Sequence, residues 1–143
     1  MKLRHLGLIA LAPLALGLAA CNKGSSDAGT AELSGAPIAA VAPPAGKTWA
    51  EVVKVTDEGG YQMGNPDAPI KVIEYGSLTC PHCAEFAELA GVELRDQYVA
   101  SGRVSYEFRN MVRDAIDLTL VQLVRCSPPE SFFALTDQTF ANQ

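Results

Sequence analysis

The sequence predicts an α/β fold, and three stretches carry that prediction. Ile70-Lys71-Val72-Ile73-Glu74-Tyr75 is rich in β-branched and aromatic residues and stops at Gly76, which reads as a central strand. Residues 81–100 place Cys83, Phe86, Ala87, Ala90, Leu94 and Tyr98 on one helical stripe, with Glu85, Glu88, Glu93 and Asp96 elsewhere. Val104, Tyr106 and Phe108 then alternate with Ser105, Glu107 and Arg109, the period of a strand with one buried face. Strand, helix, strand in that order implies a parallel pair joined by a right-handed crossover.

Before this core comes a leader. Residues 6–20 are almost uninterruptedly apolar and stand behind Lys2, Arg4 and His5, as in a secretory signal over 1–20 and shorter than a confident membrane span. Leu18-Ala19-Ala20 precede Cys21. That pattern resembles the bacterial lipoprotein signal, in which the cysteine becomes the lipidated first residue. The resemblance implies a lipid anchor at Cys21, and acylation would use up a thiol otherwise exposed to oxidation. In residues 22–46, Ala, Gly, Ser, Pro and Thr fill 18 of 25 positions with no apolar period. Together with Cys21 this segment is expected to be a disordered tether reaching about 25–30 Å.

A folded portion over 47–143 remains, beginning near Trp49 and committed by Tyr61, with Trp49 and Met63 expected to pack inside it. Gly64-Asn65-Pro66-Asp67 has turn chemistry. Gly102 is placed to cap the helix of 81–100. Asp114 is placed to cap a helix over about 115–125, with Asp117 in its first turn. Ser127-Pro128-Pro129-Glu130 has capping-box spacing. It leads into a helix with Phe132, Phe133, Leu135 and Phe140 on its apolar side, expected to run to Gln143. Cys126 is expected to be a small buried hydrophobe, and Arg103, Arg109 and Arg113 to be solvated.

Charge excludes one class of partner. The whole chain carries a formal −5. Without residues 1–20, which hold Lys2 and Arg4, 9 basic residues stand against 16 acidic ones, a net of −7. With no Lys/Arg cluster, nucleic-acid binding is not expected.

The chemistry sits where the first strand meets the helix, in Cys80-Pro81-His82-Cys83. Two cysteines three positions apart on a first helical turn can close a small disulfide ring. Cys80 would lie at the helix N-terminus, where unpaired N–H groups and the macrodipole favour a thiolate. A protonated His82 would add positive charge beside the same sulfur. Cys83, on the inner stripe, would be shielded and would resolve a mixed disulfide by attacking Cys80. Pro81 suits the first turn, where its missing N–H has no intrahelical partner. Covalent haem attachment would need histidine at position 84, which is alanine. Zinc would need about four ligands, and only Cys126 and the wedged His82 accompany the pair. Two inert structural thiols remain the plainer alternative.

From Gly64 through Tyr75, on through Ser77-Leu78-Thr79-Cys80-Pro81-His82-Cys83, and at Phe86, the chain resembles the DsbA-like branch of the thioredoxin superfamily over about residues 61–143. The resemblance implies a thiol:disulfide oxidoreductase of the bacterial periplasm, with Cys80 as nucleophile and Cys83 as resolving cysteine. Glu74 matches that family's buried acidic residue, which would relay protons to and from Cys83. The redox-active group is then the Cys80–Cys83 disulfide itself, with no added cofactor and no metal. Substrates would be the thiols of exported proteins, and a DsbB-like or DsbD-like membrane partner would renew the disulfide or dithiol. The reaction would run as an oxidation, with reduction or isomerisation as the same family's alternative. A non-catalytic lipoprotein or inactive fragment is the alternative outside it.

The family fold also implies further strands and a cis-proline loop after the helical insertion. The only prolines behind the motif are Pro128 and Pro129, both assigned to a helix start. The expectation is therefore a thioredoxin-like fold that is incomplete, cut off at its C-terminus. Two or three strands, an unpaired edge and an uncovered apolar face would remain.

Overall fold

The computed structural model describes residues 35–143. The leader of 1–20, Cys21 with its proposed lipidation, and residues 22–34 lie outside the described residues. Pro37–Gln143 form one of the chain's two units, and the fold below is that unit's.

A helical turn at Trp49–Glu51 is followed by β1 (Val53–Val55), β2 (Tyr61–Gly64), β3 (Ile70–Gly76), α1 (Pro81–Phe86), β4 (Val104–Asn110), α2 (Ala115–Arg125) and α3 (Phe132–Phe140). The strands form one sheet in the order β1-β2-β4-β3. β3 and β4 run parallel, with Val72 opposite Tyr106 and Glu74 opposite Phe108. The crossover pair read from the sequence is present.

Two expectations about the sheet are corrected. It holds four strands among the described residues rather than two or three, because β1 and β2 form a hairpin. Its turn is closed by Thr56 N–H to Gly60 O at 2.9 Å and Gly59 N–H to Thr56 O at 2.9 Å. At three and four residues, these strands are too short for alternation to stand out from the turn residues around them. The central strand is β4, not β3. β4 is buried over Val104–Phe108, whereas β3 lies on the sheet's edge.

Register explains the core. Tyr61, Met63, Val72, Tyr106 and Phe108 fall on one face, and α3 presses Phe132 and Phe133 against it. The Phe132 ring stacks on Tyr61 at 3.8 Å between centroids, nearly parallel, and tilts against Phe108 at 5.8 Å. Trp49, Leu78, Val99, Val104, Val121, Val124 and Phe140 complete the cluster, so Trp49 and Met63 do pack inside. The opposite face carries Gln62, Lys71, Ile73, Tyr75, Ser105, Glu107 and Arg109. There Ile73 and Tyr75 remain 45% and 62% exposed, and among the described residues no strand pairs with the outer edge of β3. Arg109 is not simply solvated. It reaches Glu107 at 2.7 Å and Glu58 at 3.6 Å and lies 5.6 Å over the Tyr75 ring.

The helical run from Pro81 continues past α1 through π-helical turns at Ala87–Gly91 and Leu94–Val99. Those wider turns move the inner stripe. Cys83, Ala87, Gly91, Arg95 and Val99 point inward at four-residue spacing, while Phe86, Ala90 and Tyr98 of the expected stripe are exposed. A 3.6-residue period cannot anticipate an underwound helix. Gly102 closes the run as expected, with φ +72° and its N–H on Val99 O at 2.9 Å. A Cβ there would stand 2.6 Å from Trp49 Nε1. Trp49 Nε1 donates instead to Val41 O at 2.7 Å, and Val41 N–H donates to Ser101 O at 2.9 Å.

Asp114 caps α2 as expected, accepting from the Asp117 N–H at 2.8 Å. The capping box at Ser127 does not form. Pro129 bars its predecessor from helical ψ, so Pro128 stays extended at ψ 143° and serves as the cap of a short turn, Pro129–Ser131. Ser127 is thereby displaced out of capping register. α3 ends at Phe140 rather than running to Gln143. Cys126 is exposed, not buried. It follows the last residue of α2, whose inward positions are Asp117, Val121 and Val124, and the next inward step passes it by.

Candidate functional site

The site is assembled where β3 ends. Gly76 has no side chain, and one there would meet the Phe108 ring at 2.5 Å, so the strand stops close over the core. Ser77 and Leu78 are fully buried and turn the chain into the helix. Cys80 stands at the N-cap with extended backbone (φ −94°, ψ 116°), and Pro81 takes the first helical position. Cys80 O accepts from the N–H groups of Cys83 and Ala84 at 3.1 Å each, and Cys80 N–H donates to Ser77 O at 3.1 Å.

Both cysteines are free thiols and only partly exposed, but their surroundings differ. Donors at the helix start, the N–H of Cys83 first among them, hold the Cys80 thiol below its usual range. The Cys83 thiol, the His82 N–H and the charge of Arg113 act in the same direction. Cys83 is pushed the other way. Burial disfavours its thiolate first, then the neighbouring Cys80 and the charge of Glu74, against a smaller pull from the Ser77 N–H. One sulfur is thus poised to attack and the other to hold its proton, the division of labour a dithiol exchange needs.

His82 contributes through its backbone. Its imidazole is 90% exposed and lies 3.6 Å from Glu85, while Arg113, exposed as expected, adds a charge that lowers Cys80. Glu74, on β3, is half-buried, and that burial raises its pKa. The Tyr106 hydroxyl donates to it, and with the charge of Arg95 this opposes the rise. Arg95 itself is held by both oxygens of Asp137, at 3.0 and 2.7 Å.

Sequence reasoning missed Asp117 at this site. It is fully buried and accepts from Ser77 Oγ at 2.6 Å, Leu78 N–H at 3.0 Å and Arg113 N–H at 3.0 Å. Its place in a helix's first turn accounted for it too readily, and nothing local signals a partner 40 residues away. Two clefts, of about 490 and 380 Å³, flank the motif. The first reaches Pro81 and the second Thr79, and neither is lined by a cysteine sulfur. Among the described residues no three His, Cys, Asp or Glu side chains gather where a metal ion could sit, and no helix is long and apolar enough to cross a membrane.

The thioredoxin family model matches residues 56–143, the whole span from the hairpin turn through α3. The chain belongs to the thioredoxin family. Within it, its relatives are DsbA-like. The crystal structure of a protein-disulfide isomerase from Novosphingobium aromaticivorans is 38% identical with a TM-score of 0.56, over 57% of this chain and 42% of that one. Wolbachia pipientis alpha-DsbA1 is 34% identical with a TM-score of 0.53, over 55% and 40%. Disulfide bond formation protein D of Bacillus subtilis is 27% identical over 90 residues, 60% of this chain and 40% of that protein. A Rickettsia bellii relative is 35% identical over 92 residues, 64% of this chain. The chain spans about a third of the length of the first such curated relatives, 35% and 31%. The thioredoxin-like fold expected from the sequence is the fold observed.

Proposed function

We propose that this protein is a thiol:disulfide oxidoreductase that works through Cys80 and Cys83 and oxidises the thiols of exported proteins. The observation that carries the reading is the opposed tuning of the two sulfurs, with Cys80 lowered by donors at the helix start and Cys83 raised by burial. The names of its relatives support the same class of reaction.

In the oxidised protein a substrate thiolate attacks Cys80, forming a mixed disulfide and releasing Cys83 as thiolate, which takes up a proton. Glu74, raised by burial and felt by Cys83, is suited to supply it. A second substrate thiolate attacks the substrate's own sulfur, forming the substrate disulfide and expelling Cys80 as a stabilised thiolate. The substrate loses two electrons and the protein gains them. A membrane redox partner, DsbB-like in this direction, restores the disulfide. Stabilising the Cys80 thiolate stabilises the reduced protein and so favours giving the disulfide away. The name of the Novosphingobium structure favours isomerisation as the second reading, in which the reduced Cys80 thiolate itself attacks and opens wrong disulfides.

Disulfide transfer to a reduced test protein, compared between the wild type and Cys80→Ser, tests the reading. Loss of transfer in the variant supports it; equal rates in the two refute it. A reduction potential near the about −270 mV of thioredoxin would reject the oxidising direction. The reading places the protein in the periplasm, tethered through lipidated Cys21. Cys21→Ser should then move it from the membrane fraction to the soluble one.

A further inference from the structure

Asp117 belongs to α2, yet most of its hydrogen bonds lead out of that helix. Its carboxylate accepts from Ser77 Oγ at 2.6 Å and Leu78 N–H at 3.0 Å on the strand that leads to Cys80. It also accepts from Arg113 N–H at 3.0 Å on the segment leaving β4. Ser77 passes the restraint forward. Its Oγ accepts from the Thr79 N–H at 3.2 Å, and its carbonyl accepts from the Cys80 N–H at 3.1 Å. A neighbouring bond, Met111 N–H to Gly76 O at 2.8 Å, ties the same two strand ends. Asp114 reinforces the loop from outside through Thr79 Oγ1 at 3.2 Å. Asp117 is fully buried, and a buried carboxylate on α2 whose donors come from two other segments fixes all three relative to one another.

We propose that Asp117 is a positioning residue for the dithiol, holding the Ser77–Thr79 loop and the backbone of Arg113 in one arrangement around Cys80 and Cys83. Two groups that act on the sulfurs hang from this clamp. The Ser77 N–H pulls the Cys83 thiol down and the charge of Arg113 pulls the Cys80 thiol down. The other groups that act on the pair are Cys83 and the His82 N–H toward Cys80, and Cys80 and Glu74 toward Cys83. None of these is bonded to Asp117. The proposal rests on Cys80 and Cys83 being the exchanging pair.

The test compares Asp117→Asn and Ser77→Ala with the wild type. Thiolate absorbance is followed against pH, the redox equilibrium is read against glutathione, and far-UV circular dichroism reports the fold. Asn keeps the size of Asp117 but offers one acceptor oxygen in place of two. Ser77→Ala removes only one hydroxyl. Weakening this bonding should lower the Cys80 thiolate population below its half-point by about three- to tenfold. The glutathione equilibrium should shift toward the protein disulfide by the same factor. A folded variant whose titration and equilibrium coincide with the wild type overturns the proposal, and if Asp117→Asn does not fold, Ser77→Ala decides alone. If the wild type transfers no disulfide to a reduced test protein while the titrations still shift, the functional reading fails and the positioning role stands.

Discussion

Two cysteines three residues apart have become unlike because they sit on different sides of a helix start. Cys80 meets N–H groups and the charge of Arg113, whereas Cys83 meets the interior and the carboxyl of Glu74. Glu74 adds a pH dependence of its own. Burial raises its pKa in the folded chain, so that chain keeps its proton to higher pH than the unfolded one does. Stability contributed by this group is full below the unfolded carboxyl's range and is lost as pH rises through the folded value. Glu74→Gln should therefore be the more stable protein at neutral pH. Its advantage should shrink toward acid pH, where Glu74 is protonated in both states. Urea midpoints measured across that range check the sign, and a gap that widens toward acid would contradict it. At this scale Cys80, Cys83 and Glu74 were legible because each lies at a fixed spacing within one stretch of chain. Asp117 and Arg113 were not, since only the tertiary structure brings them from beyond β4 to the neighbourhood of the pair.

The elements were legible in proportion to their length and regularity. β3, β4 and α2 were readable from alternation, β-branching and an Asp cap. β1 and β2 were too short, and the π-helical turns behind α1 shifted its buried stripe away from the expected period. α3 shows what an element adds once it docks. Phe132 is fully buried, stacked on Tyr61 and touching Phe108 and Phe133. Phe132→Ala should cost about 3–5 kcal/mol, a large share of the stability of a small domain, and chemical denaturation measures it. A loss below 1 kcal/mol, roughly the yield of a half-exposed side chain, would mean that α3 is not held to the sheet through this ring.

Among the described residues the sheet's two faces differ: one packs the aromatic core, and the other is exposed where it reaches the edge strand β3. Helices bring Phe132, Phe133 and Phe140 to the first, while Ile73 and Tyr75 stand open on the second at the edge strand β3. An edge of this kind invites pairing with other chains. Ile73→Thr, which keeps a β-branched side chain, should leave the unfolding free energy within about 0.5 kcal/mol. It should also reduce concentration-dependent association in sedimentation velocity experiments. A strongly destabilised Ile73→Thr variant would show that this face is covered after all.

By itself the sequence determined the proposed dithiol motif and the supersecondary unit that carries it. A strand that ends at glycine, a Cys-Pro-His-Cys turn and an amphipathic run are local features, governed by steric preference, periodicity and the orphan N–H groups of a helix start. Only the tertiary structure decided which strand is central, which arginine's charge lowers the Cys80 thiol and which buried carboxylate braces the loop. Those outcomes depend on strand order and on contacts between residues some 40 positions apart, such as Ser77 with Asp117, and no local pattern encodes which distant partner closes over a given strand end.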